Sequence, residues 1–181
     1  NNSFRQLAYS QTENIAEVLR NARGTEIEGL ANFYESSKEV TPEEFRSFTR
    51  YLVKNSAVQA WEWIQAVPAS KKAGFEAATR KAGLKGFAIW QKDTQGNRVP
   101  ASGRTIYYPV LNVAPFSGNE QSIGYDQGSE PLRQAAMERA ARTGLVTGTK
   151  TITLIQEAGR QKSILIYRPV FTDNDSRQVR G

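Results

Sequence analysis

Apolar positions in the first third recur three, four or seven residues apart. Phe4, Leu7, Ala8, Ile15, Val18, Leu19, Ala22, Leu30, Phe33 and Tyr34 follow this spacing, which predicts a helix over about residues 3–37. At ~1.5 Å per residue it would be ~50 Å long. Gly24 and Gly29 weaken it, each by up to ~1 kcal/mol relative to alanine. Two readings follow: a stalk or dimer face, or a bent pair of core helices.

Thr41-Pro42-Glu43-Glu44 marks the next start. Threonine caps, proline takes the first helical position, and Glu44 returns the capping bond. Val40 and Phe45 stand at staple positions, and Phe45, Phe48, Leu52 and Val53 form the apolar side of a helix to about Lys54. From residue 57 the period shortens. Ala57–Pro68 partly alternates and reads as a strand. Ser70 is expected to cap a helix through Ala82, with Gly83 after it. Strand-like runs follow at Gly86–Gln91, Thr105–Phe116, Thr149–Glu157 and Ser163–Thr172. Between the second and third lies a helix over Ser129–Thr143, with Leu132, Ala136 and Ala140 inward and Gly144 as terminator. The last two strands should pair antiparallel, because their connection is too short for a crossover. The fold class is α+β. The polar tail Asp173–Gly181 reads as a loop.

The chain has 181 residues, 39% hydrophobic and 23% charged, which suits one globular unit or two small lobes. It contains no Cys and no His. That excludes disulfides, a thiolate nucleophile, Cys-ligated zinc, Ser-His-Asp and HExxH chemistry, and a histidine pH switch. The longest apolar runs, such as Phe87–Trp90, fall far short of the ~18 residues of a membrane span. No signal peptide is apparent, and an opening at Asn1 without Met leads us to expect a piece of a longer protein.

The net charge is +6. Its basic residues are spread among acidic neighbours, with no RNP motif, zinc finger or basic arm, so no nucleic-acid partner is expected. Gly144–Thr151 faintly resembles a phosphate loop, but Thr149 breaks the required spacing and the helix-then-strand order is reversed.

Asp126 follows Gly124-Tyr125 at a helix approach. Anchoring a ligand and capping the helix are both open for it. Trp61, Trp63, Trp90, Tyr107, Tyr108, Tyr125 and Tyr167 lie on or beside expected strands; most belong to the core, and such rings also line pockets. Thr149, Thr151 and Thr153 alternate on one strand face, which turns either to a cavity or to solvent.

Taken in order, Trp63–Pro68, Lys72, Phe75-Glu76, Gly86–Ile89, Tyr108-Pro109-Val110, Gly124-Tyr125-Asp126 with Ser129 and Arg133, Thr143-Gly144, Ile152–Glu157 and Tyr167–Phe171 resemble the CHASE domain. That family supplies the extracytoplasmic sensor of plant cytokinin receptors and of many bacterial histidine kinases and diguanylate cyclases. The resemblance covers about residues 57–171. Gln65-Ala66 departs from the Pro-Arg usual there.

The resemblance implies a long N-terminal stalk helix followed by PAS-like antiparallel-sheet lobes with flanking helices. It implies a stalk and helical segment at 1–56, a ligand-binding region at 57–171, and a tail at 172–181 leading to a missing last strand and membrane helix. It implies a homodimer through the N-terminal helix, a membrane anchor in the full-length protein, and a periplasmic or extracellular location. Asp126 matches the family's adenine-binding acid, and the segment matching Thr147–Thr153 lines the same pocket. The expected ligand site is therefore Asp126, Tyr125, Tyr108, Trp90, Thr149, Thr151 and Thr153. The carboxylate favours purine-like or amine-bearing ligands. No catalytic residue, metal or cofactor is expected, and the full-length protein would carry a kinase or cyclase domain. A ligand-free dimerisation module is the alternative; a carboxylate hydrolase is a distant third.

Overall fold

The computed structural model describes residues 22–152, 163–172 and 175–181. Its α-helices are α1 (Ile27–Glu35), entered through a π-helical turn at Ala22–Glu26, then α2 (Pro42–Leu52), α3 (Lys72–Lys81) and α4 (Pro131–Thr143). Its strands are β1 (Trp61–Ile64), β2 (Val67–Pro68), β3 (Trp90–Lys92), β4 (Arg98–Pro100), β5 (Ile106–Tyr107), β6 (Val110–Ala114), β7 (Thr147–Gly148), β8 (Ile166–Tyr167), β9 (Phe171–Thr172) and β10 (Asp175–Val179). The architecture is α+β with small antiparallel pairs. The helix expected over 3–37 is helical from Ala22 to Glu35; the stalk it would form over 3–21 lies outside the described residues.

The main sheet is assembled from short pairings. β1 runs antiparallel to β6, Trp61 opposite Ala114 and Trp63 opposite Asn112, and a bulge after Trp63 re-aims the chain so that β2 pairs β5. On the far side of β6, residues 123–126 form a strip bonded to both neighbours. Gly124 N donates to Val110 O at 2.8 Å, while Trp90 N donates to Gly124 O at 2.9 Å. β3 then closes the edge as a hairpin with β4.

Helices cover both faces of β1. Trp61 and Trp63 point to α1 and α2, joining Leu30, Tyr34, Phe45 and Leu52 in one core. Tyr34 stacks on Trp63 with centroids 3.7 Å apart and planes within 8°. Ile64 turns the other way, onto the Ala136, Ala140 and Tyr167 core beneath α4. α2 starts as its sequence dictates. Thr41 Oγ1 accepts from Glu44 N at 3.2 Å, and Glu44 Oε2 accepts from Thr41 N at 2.8 Å. The Thr41 amide and then its hydroxyl, both donating to the Glu44 carboxylate, hold that carboxyl below its ordinary range.

Several expectations are corrected. Ser70 does not cap α3: Ala69–Lys71 form a 3-10 turn after Pro68, and α3 begins without a side-chain cap. The helix expected from Ser129 starts at Pro131, and Glu130 caps it as α4, accepting from Leu132 N at 3.1 Å and Arg133 N at 2.9 Å. Leu132 is exposed and Arg133 is inward, because Arg133 shares the face of Ala136 and Ala140. The last expected pair is antiparallel at Thr147–Gly148 with Ile166–Tyr167, plus a bridge between Ile152 and Ser163; residues 153–157 lie outside the described residues. The tail read as a loop contains β10, paired with β9.

The C-terminal residues are woven into the fold. Arg180 O accepts from Ala66 N at 2.9 Å, and Val170 N donates to Gly181 O at 2.8 Å. The Arg180 guanidinium donates to the carbonyls of Tyr34, Ser37 and Lys38, satisfying the end of α1. Arg168 bonds the Glu28 carboxylate at 3.0 Å and Glu35 at 3.3 Å, both on α1.

Candidate functional site

The strip at 122–128 carries the site. Gly124 has φ +77°, and a Cβ there would run into the Ala88 carbonyl oxygen. Only glycine lets the strip pass so close to the backbone beside β3. Asp126, two residues on, is fully buried. Its Oδ1 accepts from Tyr108 N at 2.8 Å and Gly128 N at 3.1 Å. Its Oδ2 accepts from Arg104 Nε at 2.7 Å. Arg104 also donates to Gln91 Oε1 and lies over the Tyr107 ring, 5.9 Å from its centroid. A buried carboxylate is costly unless it is paired and hydrogen-bonded, and this one is both.

A cleft of about 1160 Å³ adjoins these residues. Its walls come from α1, residues 56–64, the turn at 103–106, Tyr108, residues 127–128, α4, and residues 163–170. Arg104, Tyr108 and Gly128, the three residues that Asp126 holds, all stand on the wall, while Asp126 itself lies behind it. The Tyr108 ring packs close to Gly128; a Cβ there would meet Tyr108 Cδ2 at 3.2 Å. The Tyr108 hydroxyl is pushed above its ordinary range by burial first, then by the Glu138 and Asp126 carboxylates.

Gln127 is the polar junction of the cleft. It is 1% exposed. Its Nε2 donates to Glu62 Oε2 at 3.1 Å, and its Oε1 accepts from Arg133 Nη1 at 2.6 Å and Tyr167 Oη at 3.2 Å. One side chain thus joins β1, α4 and β8. Arg133 also lies over the Tyr125 ring at 5.1 Å, with Glu130 3.9 Å away.

The expected site residues are therefore divided. Tyr108 lines the cleft. Asp126 is one layer behind. Trp90 and Tyr125 are buried in the sheet with centroids 5.0 Å apart, and Trp90 Nε1 donates to Ile123 O at 2.8 Å. Thr149 and Thr151 do not line the cleft: Thr149 Oγ1 accepts from the amide of Leu165, a wall residue, at 3.1 Å, and Thr151 is exposed. Thr153 lies outside the described residues. Sequence reasoning missed Arg104, Gln127 and Gly128 as wall residues. The signal for two of them was their place directly after Gly124-Tyr125-Asp126.

The arrangement is a cleft with fixed polar groups, roofed by helices and backed by a buried ion pair. Fold and cleft together have the character of a binding domain. The family model of the CHASE domain matches residues 38–181, and the chain belongs to the CHASE domain family. CHASE domains are generally extracytoplasmic sensor domains of signalling receptors, and their work is sensing rather than catalysis. No curated protein matches the chain. Among the described residues no helix is long and apolar enough to cross a membrane.

Proposed function

We propose that this domain is the extracytoplasmic ligand sensor of a membrane receptor of the histidine kinase or diguanylate cyclase type. A small molecule, purine-like or amine-bearing, binds in the cleft beside the strip at 122–128. Two protomers pair through the N-terminal helix, and the helices carry the signal across the membrane. The observation that supports this reading is the cleft wall itself: Arg104, Tyr108 and Gly128 are all hung on one buried carboxylate, Asp126. Such a wall keeps its shape before a ligand arrives. Signalling then needs only a difference in ligand affinity between two states, and a few kcal/mol suffices to reverse a population.

A ligand-free dimerisation module is the second reading. It draws on the Asp126 carboxylate being fully engaged by protein donors. A thermal-shift screen of the purified domain against purines, amines and amino acids separates the two. Stabilisation by one chemical class supports the sensor; silence across all of them supports the module.

A further inference from the structure

The chain has three tryptophans, and all three are buried. Two of their indole N–H groups find acceptors inside the fold: Trp63 Nε1 donates to Gln65 Oε1 at 3.1 Å, and Trp90 Nε1 to Ile123 O at 2.8 Å. Trp61, 6% exposed, is the exception. Its Nε1 is closed to solvent and has no acceptor among the described residues. A buried indole N–H usually has a partner, and one without a partner carries the full cost of its lost water.

Trp61 stands on the cleft wall. There it shares one apolar cluster with Leu30 and Ala31 of α1, Val58 and Val170, which line the same cleft. Arg168, two residues before Val170, is already paired with Glu28 and Glu35.

We infer that Trp61 is a second binding point of the cleft, where the indole N–H donates to a neutral carbonyl oxygen carried on an apolar part of the ligand. The inference rests on the reading that the cleft binds a small molecule. The acceptor is neutral because the apolar cluster brings no cation to balance an anion, and a carboxylate would lose its water there. A cleft of about 1160 Å³ is larger than one ring system fills, so such an arm fits beside a group held near the strip at 122–128. Because Nε1 is closed to solvent, the carbonyl reaches it as the apolar wall yields.

The test uses the purified, nitrogen-15-labelled wild-type domain, whose three indole N–H resonances are assigned one by one. Cyclohexanone is titrated as the carbonyl probe, and cyclohexylammonium as a probe of like shape without an acceptor. The expected result is a saturable downfield shift of the Trp61 indole proton with cyclohexanone alone, while the Trp63 and Trp90 indole signals stay in place. Trp61→Phe, which keeps an aromatic ring and removes the donor, should weaken cyclohexanone binding roughly threefold to tenfold, read from the Leu30 and Val170 amides, without lowering the melting temperature.

Equal shifts of all three indoles, or a Trp61 shift as large with cyclohexylammonium, overturn the inference. Shifts of the Leu30 and Val170 amides with an unmoved Trp61 indole also overturn it, yet leave the cleft reading standing. No shift anywhere overturns it as well, and the cleft reading is then decided by the thermal-shift screen alone.

Discussion

Arg104 Nε lies 2.7 Å from Asp126 Oδ2, and the carboxylate it meets is completely buried. The pair fixes the cleft wall from behind. Asp126→Ala removes the acceptor of three donors at once and leaves the guanidinium without its counter-ion. Breaking a buried pair from one side costs about 3–5 kcal/mol. At about 2–4 °C per kcal/mol for a chain of this size, the melting temperature should fall by roughly 6–20 °C. Calorimetry on the two proteins checks this; an unchanged melting point would mean that the wall does not depend on Asp126.

Gly124 is the second fixed point of that wall. Gly124→Ala combines a left-handed backbone with a side chain aimed at the Ala88 carbonyl oxygen. Left-handed strain of about 1–2 kcal/mol and overpacking of about 1–3 kcal/mol together give a loss of about 2–5 kcal/mol. Denaturant titration should show a lower midpoint, whereas the same change at Gly74, which meets nothing within 4 Å, should be tolerated.

Alkaline pH should weaken the fold through its buried tyrosines. Burial pushes the Tyr34 and Tyr167 hydroxyls well above their ordinary range. In the unfolded chain a tyrosine releases its proton near pH 10. Above that pH the folded state holds more protons than the unfolded state, so stability falls as pH rises; below it the contribution is complete. Each group adds up to about 1.4 kcal/mol per pH unit to the loss. Melting curves between pH 9 and 11 should drop less steeply for Tyr167→Phe than for wild type, and parallel curves would refute the assignment.

Arg168 ties β8 and the segment after it to α1 through Glu28 and Glu35. Its neighbour Tyr167 bonds Gln127 in the cleft, so two adjacent residues connect the cleft to the N-terminal helix. Arg168→Ala should cost about 1–2 kcal/mol, since the ion pairs are partly exposed. Amide exchange should quicken in α1 more than in α3. Equal quickening in both helices would indicate general destabilisation.

How much of this was legible in the sequence follows from the range of each interaction. The start of α2 is written in four neighbouring residues, Thr41 to Glu44, and the alternation of Trp61 and Trp63 is local too. Arg104 was not legible, because its turn reads as ordinary and its partner is 22 residues away. Gln127 meets Glu62 65 residues back and Tyr167 40 residues ahead. The inward face of α4 was misread at Leu132 because an arginine looks like a surface residue; Arg133 is buried by its stem, its place over Tyr125 and its bond to Gln127. β4 is only three residues long and β10 is mostly polar, and their pairing partners, not their hydrophobicity, make them strands.

The measurement that bears most directly on the sensor reading is native mass spectrometry of the purified domain, wild type beside Ala141→Trp. Ala141 is half-buried on the cleft wall, and an indole there fills the space a ligand needs. The account expects a small molecule of defined mass on the wild type, released on denaturation, with occupancy lowered about tenfold in the variant, an affinity loss of ~1.4 kcal/mol. Equal occupancy of both proteins, or no bound mass on either together with silence in the thermal-shift screen, would contradict it.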